Sequence, residues 1–231
     1  MRRSLVGLLV VLALSAGCGN GGTLEPSALS GLRVYNASPD SPPVDIFVKG
    51  SVVTQGLSYG FGRLGIVVVP GAGLIEVRNT ATDDVLLDYS ATLAAGTPYT
   101  FAFTGTAGAL QPIFVADDTT AAPSGSFKVR MIHLAPLGPP MDLYITGASD
   151  DLATATPAIT GLAYTKISNY VTAPVGTQRL RLTQTGTKTV LREVGTFPFT
   201  SGQGVTLLVI GNAGTGGGGA PYSGQLVADH S

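Results

Sequence analysis

Val44, Ile46 and Val48 alternate with Asp45, Phe47 and Lys49, and Met141, Leu143 and Ile145 show the same spacing later in the chain. A period of two predicts strands with one face buried. Residues 64–69, 74–78, 85–93, 99–104 and 113–116 predict further short strands, separated by Pro70-Gly71, Thr82-Asp83-Asp84 and Ala95-Gly96. About seven strands with no helical periodicity between them predict an antiparallel two-sheet β-sandwich, immunoglobulin-like or transthyretin-like.

The pattern occurs twice. Residues 32–50, LRVYNASPDSPPVDIFVKG, align without a gap with residues 129–147, VRMIHLAPLGPPMDLYITG. Gly56-Leu57-Ser58-Tyr59 then matches Gly161-Leu162-Ala163-Tyr164 at a larger offset, which places an insertion near Asp150-Asp151. Val115-Ala116-Asp117 and Val227-Ala228-Asp229 close their copies. A repeat of this length is a domain duplication, each copy being large enough for a modest core of its own.

The N-terminus breaks the pattern. Arg2-Arg3 precede an apolar run, residues 5–16, which is too short to cross a bilayer core of about 30 Å as a helix. It predicts a signal peptide. Leu14-Ser15-Ala16-Gly17-Cys18 resembles the lipobox of bacterial lipoproteins, which implies cleavage between Gly17 and Cys18 and a lipid on the Cys18 thiol. Gly19 lacks the Asp that often marks inner-membrane retention in that family, so the outer membrane is the expected location. The chain divides into a signal peptide (1–17), a lipidated cysteine with a flexible tether (18–30), a first sandwich (31–118), a linker (119–125) and a second sandwich (126–231). Cys18 is the chain's single cysteine, which excludes an internal disulfide.

Composition narrows the function. Charged residues are 12%, about half the roughly 25% of an average soluble protein. Loss of Arg2 and Arg3 leaves 11 basic against 14 acidic side chains. No basic stripe remains, which excludes nucleic acid as a partner. The absence of Trp weakens a sugar-stacking platform.

The segment Asn36-Ala37-Ser38-Pro39-Asp40-Ser41-Pro42-Pro43-Val44-Asp45-Ile46-Phe47-Val48 resembles the hallmark of domain of unknown function 4397. Ala94-Ala95-Gly96-Thr97-Pro98-Tyr99-Thr100 is similar to that family's second common stretch. Asn36 stands where the family has His, whereas the second copy keeps His133. The resemblance implies tandem secreted envelope domains and no particular activity.

Catalytic candidates are weak. A His133–Asp142 pair has no nucleophile elbow beside it, and His133 reads as a loop residue capping backbone groups. His230 lies next to the C-terminus and is expected to fray. Asp83-Asp84, Asp117-Asp118 and Asp150-Asp151 read as turn and loop caps. Calcium needs six to eight converging oxygens, so no metal and no cofactor are expected, Asp40 with Asp45 being the best of the poor candidates. Gly214 to Gly219 lack the Lys-Ser or Lys-Thr of a phosphate loop and read as a hairpin loop.

One face remains. Alternation sends Arg33, Tyr35, Asp45 and Phe47 away from the core, with Arg130, Ile132, Asp142 and Tyr144 matching them in the second copy. Either Arg33 pairs locally with Asp45 over Phe47, or these faces meet each other or a partner. The expected function is a non-enzymatic envelope lipoprotein. It would be a binding or adhesion module, joined to the membrane by its lipid, with an unidentified envelope protein or glycan as partner. The alternatives are a purely structural envelope component or an uncharacterised envelope hydrolase.

Overall fold

The computed structural model describes residues 29–211 and 222–230. The signal peptide, Gly17, Cys18, most of the tether and the Gly214 to Gly219 run lie outside them. The first copy contains β1 (Ser30–Asn36), β2 (Val44–Val48), β3 (Ser51–Leu57), β4 (Gly62–Val68), β5 (Gly71–Asn79), β6 (Val85–Leu93), β7 (Tyr99–Thr106) and β8 (Ala109–Ala116). The second contains β9 (Ser126–Leu134), β10 (Met141–Gly147), β11 (Ile159–Leu162), β12 (Val171–Pro174), β13 (Gly176–Gln184), β14 (Val190–Phe199), β15 (Gly204–Gly211) and β16 (Tyr222–His230). The described residues form no helix, so none is long and apolar enough to cross a membrane.

Each copy is a sandwich of two four-stranded sheets with the same strand order. The first pairs β4-β1-β7-β8 with β3-β2-β5-β6; the second pairs β12-β9-β15-β16 with β11-β10-β13-β14. The first and second strands of each copy thus lie in opposite sheets. An immunoglobulin arrangement puts them in one sheet, so that alternative is excluded and the transthyretin-like one remains. The expectation of purely antiparallel sheets needs one correction: β1 runs parallel to β7, and β9 parallel to β15.

Those parallel strands are buried on both faces, as parallel pairs usually are. The cause is a stack of four layers. Val34, Ile46, Val77 and Phe101 fill the first sandwich, and Met131, Leu143, Leu182 and Leu207 fill the second. A third core of Tyr35, Ala102, Ile113, Ile132, Leu208 and Ile210 lies between the copies. It joins the β1 sheet to the β9 sheet face to face. The linker residue Ala122 is also buried, its N–H donating to the Gly202 carbonyl.

Candidate functional site

The polar centre of the third core is built from matching positions of the two copies. Arg33 on β1 is in register with Thr100 on β7, and Arg130 on β9 with Thr206 on β15. Each guanidinium Nε donates to its neighbouring threonine hydroxyl, at 2.6 Å in the first copy and 2.9 Å in the second. Beyond the threonine each arginine crosses to the other copy. Arg33 donates to the Ala228 carbonyl at 3.0 Å and pairs with Asp229; Arg130 donates to the Ala116 carbonyl at 3.2 Å and pairs with Asp117. The contacts are reciprocal, like those across a two-fold interface between identical subunits.

The two halves form one network. Arg33 also reaches Asp117 at 3.1 Å and the Thr206 hydroxyl at 3.2 Å, and Thr100 donates to Asp117 at 2.7 Å. Thr206 donates to Asp229 at 2.7 Å, and the Tyr170 hydroxyl donates to the other Asp229 oxygen at 2.7 Å. Both arginines are buried. Burial alone would lower the Arg33 pKa, but Asp117 and Asp229 outweigh it and hold the guanidinium above its ordinary value. Burial pushes the Tyr35 hydroxyl up to about 12, with Arg33 opposing. Burial also raises Tyr170, against the opposing charge of Arg130 and with help from its hydrogen bond to Asp229. Two cations facing two anions, each hydrogen-bonded further, is the arrangement in which buried charge is tolerated. In the same layer the buried Tyr35 hydroxyl has no hydrogen-bond partner among the described residues.

The eight predicted face residues do not share one face. Arg33, Tyr35, Arg130 and Ile132 meet in the layer between the copies. Asp45, Phe47, Asp142 and Tyr144 lie on the outer surfaces of the two outermost sheets. Alternation correctly turns all eight away from their own cores. However, β1 and β2 belong to opposite sheets, so "away from the core" means opposite directions for the two strands. The expected Arg33–Asp45 pair is therefore corrected: Arg33 pairs with Asp229 and Asp117. Asp45 instead accepts hydrogen bonds from the Gly56 N–H at 2.8 Å and the Thr80 hydroxyl at 2.7 Å.

Asp142 repeats that role. It accepts from the Gly161 N–H at 2.7 Å and from the Gly186 N–H at 3.0 Å. Gly56 and Gly161 have φ of 63° and 62°, in the left-handed region that glycine tolerates best, and each carboxylate fixes that turn. Phe47 lies under the Arg78 guanidinium, and Tyr144 under the Lys188 ammonium, both at 4.5 Å from the ring centre.

His133 caps its loop. Its Nδ1 accepts from the Ala135 N–H at 3.3 Å, and its Nε2 lies 3.1 Å from the Pro139 carbonyl, which fixes the neutral tautomer with Nε2 protonated. Burial lowers its pKa, with the Pro139 contact opposing. Asn36, at the matching position, accepts from the Ser38 N–H in the same way at 3.1 Å. The backbone of His230 is paired with Gly204, which corrects the expectation that it frays.

Asp40, Asp118, Asp150 and Asp151 cap backbone N–H groups of turns and loops, as expected, whereas Asp83 pairs with Arg78 and Asp84 accepts from the Thr82 hydroxyl. Asp118 is held well below the usual carboxylate range by hydrogen bonds from Lys128 and then Thr120. Asp117 departs from the capping expectation, because it is buried in the network. Among the described residues no three of His, Cys, Asp and Glu converge on one point. Sequence reasoning missed Thr100, Thr206, Asp117 and Asp229 as partners of the arginines. The available signal was the Val-Ala-Asp that ends both copies.

The family model described as "Domain of unknown function (DUF4397)" matches residues 30–144. No curated protein matches the sequence. Among solved structures, a carbohydrate-binding module of family CBM26 from Eubacterium rectale Amy13K, crystallised with maltoheptaose, is 10% identical. The likeness covers 87% of this chain and 95% of that one, at a TM-score of 0.24.

Proposed function

We propose, of a chain that belongs through residues 30–144 to the family described as domain of unknown function (DUF4397), that it is a non-catalytic envelope lipoprotein. Two tandem sandwiches, residues 31–118 and 126–231, act as one rigid binding or adhesion body held to its membrane through Cys18. The observation that carries this reading is the placement of charge. Arg33, Arg130, Asp117 and Asp229, at matching positions of the two copies, are buried and paired with each other, so they brace the body and do not meet a substrate. Large apolar side chains also stand in water. Leu137 is fully exposed at φ 62°, a conformation that costs a branched residue energy and is often retained for contact.

Two measurements on one strain set test the reading. Wild type should take up labelled palmitate and sediment with membranes, whereas Cys18→Ser should do neither; membrane retention of an unlabelled Cys18→Ser chain overturns the anchor. Envelope extract passed over the immobilised mature chain should leave a reproducibly enriched component. With no enrichment, the purely structural alternative replaces the binding module.

A further inference from the structure

Ten large apolar side chains are exposed among the described residues, and five of them fall between positions 52 and 69: Val52, Phe61, Leu64, Val67 and Val69. They lie on β3, on β4 and at the ends of β4, the adjacent free edges of the two sheets of the first sandwich. Between these edges runs a cleft of about 230 Å³ whose apolar lining is Val48, Val53, Val67, Val68 and Val69. Val52 on β3, paired with Phe47, faces the opposite way from Val67 on β4, paired with Gly31, so the surface is formed by Phe61, Leu64, Val67 and Val69. Scattered exposed hydrophobics are ordinary, but a group of this kind marks a contact surface. The second copy has no equivalent group: β11 and β12 have four residues each, and of the exposed large apolar side chains only Val175, next to the end of β12, lies there among the described residues.

Two features indicate what covers this surface. The chain enters β1 at Ser30, which is paired with Val68 of β4, so the segment leading back to Cys18 departs beside the exposed edge. Even fully extended, that segment cannot separate Cys18 from Leu29 by more than about 40 Å. The second feature is charge. Lys49 and Arg63 stand exposed along this edge, and the carboxylate on β2, Asp45, is taken up by the Gly56 N–H and the Thr80 hydroxyl. The exposed Lys49 ammonium lies at the rim, donating to the Val69 and Pro70 carbonyls at 3.0 and 2.6 Å.

We propose that the β3–β4 edge of the first sandwich is the membrane-facing surface, and that its occupant is an anionic phospholipid bilayer. Phe61, Leu64, Val67 and Val69 enter the boundary between head groups and acyl chains, as apolar faces of interfacial segments do. Lys49 and Arg63 lie among the anionic head groups, which attract cations close to the surface. The proposal rests on the reading of Cys18 as a lipid anchor, which holds this edge within reach of the bilayer.

The chain contains no tryptophan, so Phe61→Trp supplies a single fluorescent reporter. The lipidated full chain carrying it is reconstituted into vesicles of phosphatidylethanolamine and phosphatidylglycerol, with and without bromine on the acyl chains. The reporter should lose about half its emission to brominated lipid, as an interfacial side chain would. Val85→Trp, on β6 at the opposite edge of the β3 sheet, should lose none. Adding Val67→Asp and Val69→Asp to the Phe61→Trp chain, at exposed positions, should restore the emission. A chain that floats with the vesicles but is not quenched overturns the proposal alone; one that does not float overturns the anchor and the proposal with it. An emission shift to the blue without vesicles also overturns it. If the shift grows with protein concentration, the occupant is a second copy; if it does not, it is the chain's own N-terminal segment.

Discussion

In the first copy, β3 and β4 are seven residues each, and the outer surface around Phe47 is half-buried. In the second, β11 and β12 are four each, and the chain between β10 and β11 lies against the outer surface. The Ala158 N–H donates to the Leu143 carbonyl, the Arg181 side chain reaches the Asp150 carbonyl at 3.3 Å, and Tyr144 is buried. Along the central strands of the inner sheets no such divergence exists. Arginine faces threonine in register, and each copy ends in an aspartate that crosses to the other copy's arginine. An outer surface can be rebuilt without consequence for the rest of the fold. A residue in the layer between the copies has a partner fixed on the opposite side, so a change there strands a buried charge.

The largest effects should follow from breaking that shared layer. Arg130→Ala leaves Asp117 buried with one cation fewer and should cost about 3–5 kcal/mol in urea unfolding. Arg33→Ala should do the same to Asp229. Because the two arginines belong to one network, the loss in the double variant should depart from the sum of the single losses. Strict additivity would show two independent pairs in place of one cluster.

The outer surfaces should respond unequally and independently. Tyr144→Ala removes a buried ring and should cost about 3 kcal/mol, whereas Phe47→Ala removes a half-buried one and should cost about 1–2 kcal/mol. Lying on opposite outer sheets, the two losses should add. A non-additive pair would contradict the four-layer stack.

The smallest effect separates the two loop caps. His133 is neutral in the folded chain with its pKa lowered by burial, while an unfolded histidine takes up a proton near 6.5. Stability should be full above about pH 6.5 and fall as the pH drops below it, at a rate of up to about 1.4 kcal/mol per pH unit. His133→Asn imports the residue that caps the same loop in the first copy and should abolish that dependence. Unfolding midpoints near neutrality and at about pH 5.5 decide the matter; a variant with unchanged pH sensitivity would place the titrating group elsewhere.

The alternation of Val44, Ile46 and Val48, and of their counterparts in the second copy, was enough to identify these strands and their buried faces. That pattern depends only on the two-residue repeat of an extended chain. The match of residues 32–50 with 129–147 is legible from shared residues at one spacing, and the loop-capping role of His133 from partners that lie within a few residues. The partners of Arg33 were not. Alternation turns Arg33 away from the core, and the apolar residues at matching positions imply that its face is covered, but periodicity carries no information about which sheet a strand joins or what covers its second face. Burying Arg33 became tolerable only when the sandwiches stacked and brought Asp229 to it from 196 positions away. Such a pairing is set by long-range packing, which local sequence pattern does not encode. The sequence determined the core faces of the first strands and most other strands of the first copy, but not β3 (Ser51–Leu57). The tertiary structure decided that the two inner sheets would meet, because only there could two buried cations and two buried anions neutralise one another.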